Sequence, residues 1–145
     1  MAKSASSMAE LERIIMADVV KAMELARKDM KTDMLVETYG FYTKGAPKEY
    51  KRTGALGDTP ETTHIDVSSN SASFDAYLDT RHQYSTGDNP NMQQVLELAN
   101  SGIPWTTKGG RPARKTLGKK GFWERAVKKM DKSLTRNMRK FFKKI

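Results

Sequence analysis

The residue pattern predicts an α+β fold, with long N-terminal and C-terminal helices packed on a small antiparallel sheet, one short helix and two long loops. Three observations lead there. Apolar residues recur at steps of three and four over two long stretches, one near each end of the chain. Between them, two short runs alternate apolar and polar residues, as half-buried strands do. The chain shows no internal repeat, and its 145 residues suit one domain, residues 1–145, large enough to bury a core.

Met1 to Ser7 reads as a flexible N-terminus without the apolar stretch of a signal peptide. Ser7-Met8-Ala9-Glu10 has capping-box spacing and starts the first helix, whose stripe runs Met8, Leu11, Ile15, Val19, Ala22, Ala26 and Met30, with a continuation toward Val36. Thr38 to Gly57 changes character: three tyrosines, Pro47 and four glycines predict an irregular loop. Thr62–Val67 and Ala72–Leu78 alternate, and Ser68-Ser69-Asn70-Ser71 supplies a turn between them, so they pair as a hairpin. Asn89-Pro90 and Ser101-Gly102 bracket a short helix over Asn91–Asn100. Thr106 to Gly121, with four glycines and six Lys or Arg, is a basic Gly-rich loop. The second long helix runs from Phe122 to Ile145 on the stripe Trp123, Val127, Met130, Leu134, Met138, Phe141 and Ile145. Its Trp123–Leu134 half is expected to pack on the chain's own sheet or first helix. Its distal half places Met138, Phe141, Phe142 and Ile145 among lysines and arginines at a chain end, which points to cover from a neighbouring subunit.

Chemistry-bearing patterns are sparse. With no cysteine there is no disulfide framework, thiolate metal site or cysteine nucleophile. His64 and His82 lack a second histidine at metal-binding spacing. Asp75 and Asp79 flank Tyr77 on one strand face, which solvent-facing alternation explains as well as acid–base work does. Gly109 to Thr116 approaches a phosphate loop, but Arg114 stands where the second glycine belongs and Pro112 removes a donor. The expectation is a non-enzymatic protein with no cofactor, no small-molecule substrate and no membrane span. The charge of +9 is localised: residues 119–145 hold 11 basic residues against Glu124 and Asp131, and the first 118 hold 15 of each sign. Lys128, Lys132, Arg136, Arg139 and Lys143 thus present a basic face that fits either phosphate backbone or an acidic protein surface. A membrane surface is the third reading, since Trp123, Phe141 and Phe142 accompany the lysines.

Tyr50-Lys51-Arg52-Thr53-Gly54-Ala55-Leu56, after a long N-terminal helix, resembles the Tyr-x-Arg-Thr-Gly-x-Leu signature of a tailed-phage family of tail-component or tail-completion proteins. Tyr84 to Pro90, Val95 to Pro104 and Gly121 to Ala126 are similar to the downstream half of that family, in the same order. The resemblance, which spans Met8 to about Met130, implies a structural virion subunit of the neck, joining the tail to the DNA-filled head. It would form a homo-oligomeric ring, contact neighbouring neck and tail proteins and DNA passing through the ring, and assemble in the host cytoplasm. Tyr50, Arg52, Thr53, Gly54, Leu56 and Trp105 are the interface candidates beside the distal helix. From the residues alone, Gly54 and Gly57 allow turns with positive φ, and Tyr50 and Leu56 can anchor the segment on the core. A rival reading is a small nucleic-acid-binding protein that uses the basic terminal helix.

Overall fold

The computed structural model describes residues 4–43, 56–81, 92–101 and 118–142, and its elements are mostly helical. Helix α1 spans Met8–Gly40, the strands are β1 (Pro60–Thr62), β2 (Asp66–Val67), β3 (Ala72–Ser73) and β4 (Ala76–Leu78), and helices α2 (Met92–Ser101) and α3 (Phe122–Phe142) follow. Long helices at both ends and a small antiparallel sheet are as the sequence predicts.

Ser7 caps α1 by accepting from the Glu10 N–H at 3.1 Å, but the reciprocal half of the capping box is displaced by one residue. The Glu10 carboxylate takes the N–H and hydroxyl of Ser6 instead, at 2.8 and 2.5 Å. At its other end α1 runs past the predicted stop. Thr38, Tyr39 and Gly40 are helical, and a single 3₁₀ turn, Phe41–Thr43, completes the element. Thr38 is compatible with this because its buried hydroxyl donates to the Met34 carbonyl at 3.0 Å, and because Phe41 gains a place in the core by staying on the helical path.

The predicted hairpin forms, in two pairs: β1 with β4 and β2 with β3. Thr62 faces Ala76 and Asp66 faces Ser73, so residues 63–65 of the outgoing strand oppose only residues 74–75 of the returning one. The hairpin therefore carries a one-residue bulge. Thr63 bridges it, donating its N–H to the Asp75 carbonyl at 2.9 Å and accepting the Asp75 N–H on its hydroxyl at 2.8 Å. Along the returning strand Ala72, Phe74, Ala76 and Leu78 are partly buried while Ser73, Asp75 and Tyr77 are exposed, which is the alternation read from the sequence.

The core has two connected parts. Phe41, Leu56, Leu96, Ala99 and Phe122 gather where the end of α1, the end of α2 and the start of α3 converge, with Phe41 and Phe122 edge-on at a centroid distance of 6.1 Å. Met34, Ala126 and Met130 form the second part, with Met30 and Ala76 packed against it; Leu78 and Trp123 touch both. Gly57 belongs to the first region, for a reason other than the predicted one. Its φ is not positive; a Cβ there would run into the Tyr39 ring. The turn containing Leu56 thus lies against the Tyr39 ring of α1 closely enough that a side chain at position 57 would displace that ring. Gly54 lies outside the described residues. So do the predicted Asn89-Pro90 cap, the Ile103-Pro104-Trp105 segment and residues 106–117 of the basic loop.

Candidate interaction surfaces

Helix α3 lies antiparallel along α1, and the seam between them is polar over much of its length. On α1, Asp29, Asp33 and Glu37 recur at steps of four and so share one face; on α3, Arg125, Lys129, Ser133 and Asn137 do the same. The two rows meet rung by rung. Glu37 accepts from Arg125 at 2.8 Å and pairs with Lys129 at 2.7 Å. Ser133 donates its hydroxyl to Asp33 at 2.5 Å. Asp29 accepts from Asn137 at 2.8 Å and from Arg136 at 3.0 Å. Glu37 is only 7% exposed and Asn137 only 1%, so these two groups are inside the packed face, whereas the Arg136 and Asp29 side chains, 57% and 42% exposed, lie at its rim.

The titration behaviour follows from this placement. Burial by itself would raise the Glu37 pKa, but hydrogen bonds from Lys129 and Arg125, with their charges, outweigh it and hold the carboxyl below the ordinary glutamate value. Asp29 is held below the ordinary aspartate value mainly by the hydrogen bond from Asn137, then by that from Arg136.

The start of α3 is capped from another element. Gly121, at φ 76°, has no side chain to serve as a cap, and Asn100 near the end of α2 takes that role. Its side-chain oxygen accepts the Trp123 N–H at 2.8 Å, its amide donates to Glu124 at 2.9 Å, and its carbonyl accepts the Gly121 N–H at 2.8 Å. Asn100→Ala is expected to lower stability by about 1–2 kcal/mol, the range for a lost N-cap. Chemical denaturation should show this as a shift in midpoint with an unchanged slope; an unchanged midpoint would mean that water satisfies the helix start equally well.

The outward faces of α3 divide in two. Lys128, Lys132 and Arg139 are exposed on one side, with no carboxylate partner among the described residues. Arg136, read from sequence as part of the same set, is instead engaged with Asp29. The apolar stripe predicted for this helix is rotated by about a quarter turn from the face that is most buried, at 100° per residue. Phe122, Ala126, Met130, Ser133 and Asn137 face inward; Val127 is 45% exposed, and Leu134, Met138, Phe141 and Phe142 are half-buried. The distal half of α3 is accordingly seated on the chain's own α1 through Arg136 and Asn137, a departure from the expectation that a neighbour alone covers it. At the other end of the stripe a groove of about 340 Å³ opens between β4, α2 and the start of α3, lined by Tyr77, Leu78, Leu96, Phe122 and Trp123 among others.

The remaining candidates fall as follows. Leu56 is 2% exposed, an anchor in the core and not part of the surface. Tyr50, Arg52, Thr53, Trp105, Lys143, Ile145 and His82 lie outside the described residues. His64 and Asp75 are exposed, whereas Asp79 is buried and its carboxylate is held by the Arg81 guanidinium at 2.9 Å, so the two aspartates have different surroundings. Among the described residues no group of three or more His, Asp or Glu is placed to hold a metal ion, and no helix is long and apolar enough to cross a membrane. The acidic row on α1 and the cap at Asn100 are what sequence reasoning missed. Steps of four in Asp29, Asp33 and Glu37, matched by steps of four in Arg125, Lys129 and Ser133, were the available signal for the first.

The helix pair is zipped by its own charges, and α3 keeps an apolar flank and a basic edge on its outward sides. Comparison with known protein families places residues 7–144 in a match to the YomN family model. The chain belongs to the YomN family, a phage-derived, Bacillus prophage-like family. No curated protein and no solved structure matches the chain significantly.

Proposed function

We propose that this chain is a structural virion subunit of a long-tailed phage, one copy of a homo-oligomeric ring in the neck that completes the tail and joins it to the head. The observation that carries the reading is membership of a phage-derived family over nearly the whole chain. Two features support it. The resemblance of Tyr50–Leu56 and the downstream segments to tail-completion proteins points to the neck. The half-covered flank of α3, with Val127, Leu134, Met138 and Phe141, offers apolar surface for a protein partner. The chain acts without a cofactor or a small-molecule substrate in this reading, and its partners are further copies and neighbouring neck and tail proteins. Quantitative mass spectrometry of purified particles is expected to find a few to a dozen copies per virion; particles that lack the chain would overturn the proposal.

One observation favours a nucleic-acid reading: Lys128, Lys132 and Arg139 stand exposed on one side of α3. Three phosphate contacts would make log K fall with log salt at a slope of about −2.7. No duplex binding at low salt would remove that reading and leave the assembly reading intact.

A further inference from the structure

The hairpin and its flanks, residues 58–79, hold five carboxylates and no Lys or Arg. Three of them are engaged within the chain: Asp58 accepts from the Tyr39 hydroxyl, Glu61 pairs with Lys31 at 3.1 Å, and Asp79 pairs with Arg81 at 2.9 Å. Asp66 and Asp75 are exposed and have no cationic partner among the described residues. Both stand on the outer face of the hairpin. Asp66 faces Ser73 across the ladder and so shares its side of the sheet, and Ser73, Asp75 and Tyr77 alternate with the partly buried Phe74 and Ala76. A strand step of two residues, about 7 Å, separates the two carboxylates along the sheet.

The opposite pole of the molecule is basic. On the inner face of the hairpin, Ala76 and Leu78 pack against Met34, Ala126 and Met130. At 100° per residue, Lys128, Lys132 and Arg139 fall within about 40° of one another and about 140–180° from the mean direction of Ala126 and Met130. These three cations therefore face away from the hairpin, exposed and with no carboxylate partner among the described residues. Glu124 and Asp131 lie about 40° and 60° to one side of Lys128, and on the other side of the edge Arg136 lies about 40° from Lys132. Glu124 is held by the Asn100 amide and Arg136 by Asp29. Lys128 and Lys132 are about 6 Å apart along the helix axis, which matches the spacing of Asp66 and Asp75 to about 1 Å. Within one chain the acidic face and the basic edge point in opposite directions and cannot meet. Pairing like faces of two copies would set carboxylates against carboxylates or cations against cations, whereas a head-to-tail contact gives each face its complement.

We infer that the outer face of the hairpin of each copy, with Asp66 and Asp75, seats on the edge of α3 formed by Lys128, Lys132 and Arg139 in a second copy. The contact is heterologous: each molecule gives its hairpin and receives another on α3, and repetition about an axis closes a ring. The inference rests on the ring reading and specifies the contact that builds it. Exposed ion pairs are weak singly and are screened by salt, so the contact gains strength from its repetition around the ring and loosens as ionic strength rises.

Charge exchange tests the contact. Asp66→Lys with Asp75→Lys should weaken self-association of the full chain at least tenfold at low salt, and Lys128→Glu with Lys132→Glu should do the same. Each pair should leave the melting temperature of the dilute chain unchanged. Mixing the two variants should restore assembly, because the reversed hairpin of one meets the reversed edge of the other. In the unsubstituted chain, carbodiimide coupling of isotope-labelled with unlabelled copies should join Asp66 or Asp75 to Lys128 or Lys132 between chains, read by peptide mapping of the covalent dimer. A loss of association confined to the edge variant would overturn the inference. Duplex DNA binding by the unsubstituted chain but not by that variant would then give the edge to nucleic acid. Variants that stay apart when mixed would overturn it as well. A closed oligomer by native mass spectrometry that neither reversal disturbs would overturn the contact and leave the ring standing. A chain that stays monomeric at millimolar concentration and low salt would overturn the contact too, and the ring would then be decided by its copy number in particles.

Discussion

Glu37→Ala is expected to lower the stability of the fold by roughly 3 kcal/mol, a drop of about 10 °C in melting temperature for a domain of this size. Glu37 is buried, with its side chain 9% exposed, while Arg125 and Lys129 are 33% and 44% exposed. The cations can partly recover water once the carboxylate is gone, which keeps the loss at the low end for a broken buried pair. Arg125 has the least freedom to do so. Its Nη1 is tied to the Lys120 carbonyl at 2.7 Å, and its Nη2 is buried without a hydrogen-bond partner. The same residue sets an acid limb. Glu37 and Asp29 both have carboxyls held below their ordinary values of 4.5 and 3.8. Their stabilisation is therefore fully present above those values, and is lost as pH falls through the lower values of the folded chain. Glu37→Gln should flatten the decline in stability below about pH 5 relative to the unsubstituted chain. Parallel acid limbs in thermal melts would show that Glu37 titrates alike in folded and unfolded chains.

The elements legible in advance were those with strong periodicity or local turn chemistry. The α2 bounds agree with the Asn91–Asn100 expectation to within a residue, and the hairpin turns at Ser68–Ser71 as read. The bulge was not legible, because one extra residue in an alternating run leaves the pattern on either side intact. The extent of α1 is not legible because glycine and tyrosines near its end look like loop residues, yet Thr38 and Phe41 are buried there. The packing face of α3 is hidden from sequence for a more general reason. Hydrophobicity alone picks out Val127, Leu134, Met138 and Phe141, but the inward row at Ser133 and Asn137 is polar, and its burial depends on Asp29 and Asp33 a hundred residues away. A buried polar row is invisible to a search for apolar stripes until its complement is identified. From sequence the basic excess suggests an external partner for the same reason, and part of that partner is α1 itself.

Ending the chain after Leu134 is expected to cost roughly 3–5 kcal/mol, from lost side-chain burial together with lost hydrogen bonds to a charged group. The cut removes both donors to Asp29, at 2.8 and 3.0 Å, and leaves that carboxylate without its partners across the seam. It also removes Phe141 and Phe142, half-buried one turn beyond Asn137 and level with buried Ala26 and Met23. A domain stable by 5–15 kcal/mol would survive the smaller loss and approach unfolding at the larger one. The truncated chain should melt at least 10 °C below the full chain, and in hydrogen exchange the 22–33 stretch of α1 should lose protection before the 34–40 stretch does. Asn137→Ala, which removes one rung and keeps the aromatic rings, should reproduce only about 1–2 kcal/mol of the loss. If the truncated chain melts like the full chain, the last turns of α3 contribute nothing to their own subunit. Met138, Phe141 and Phe142 would then serve a neighbour alone.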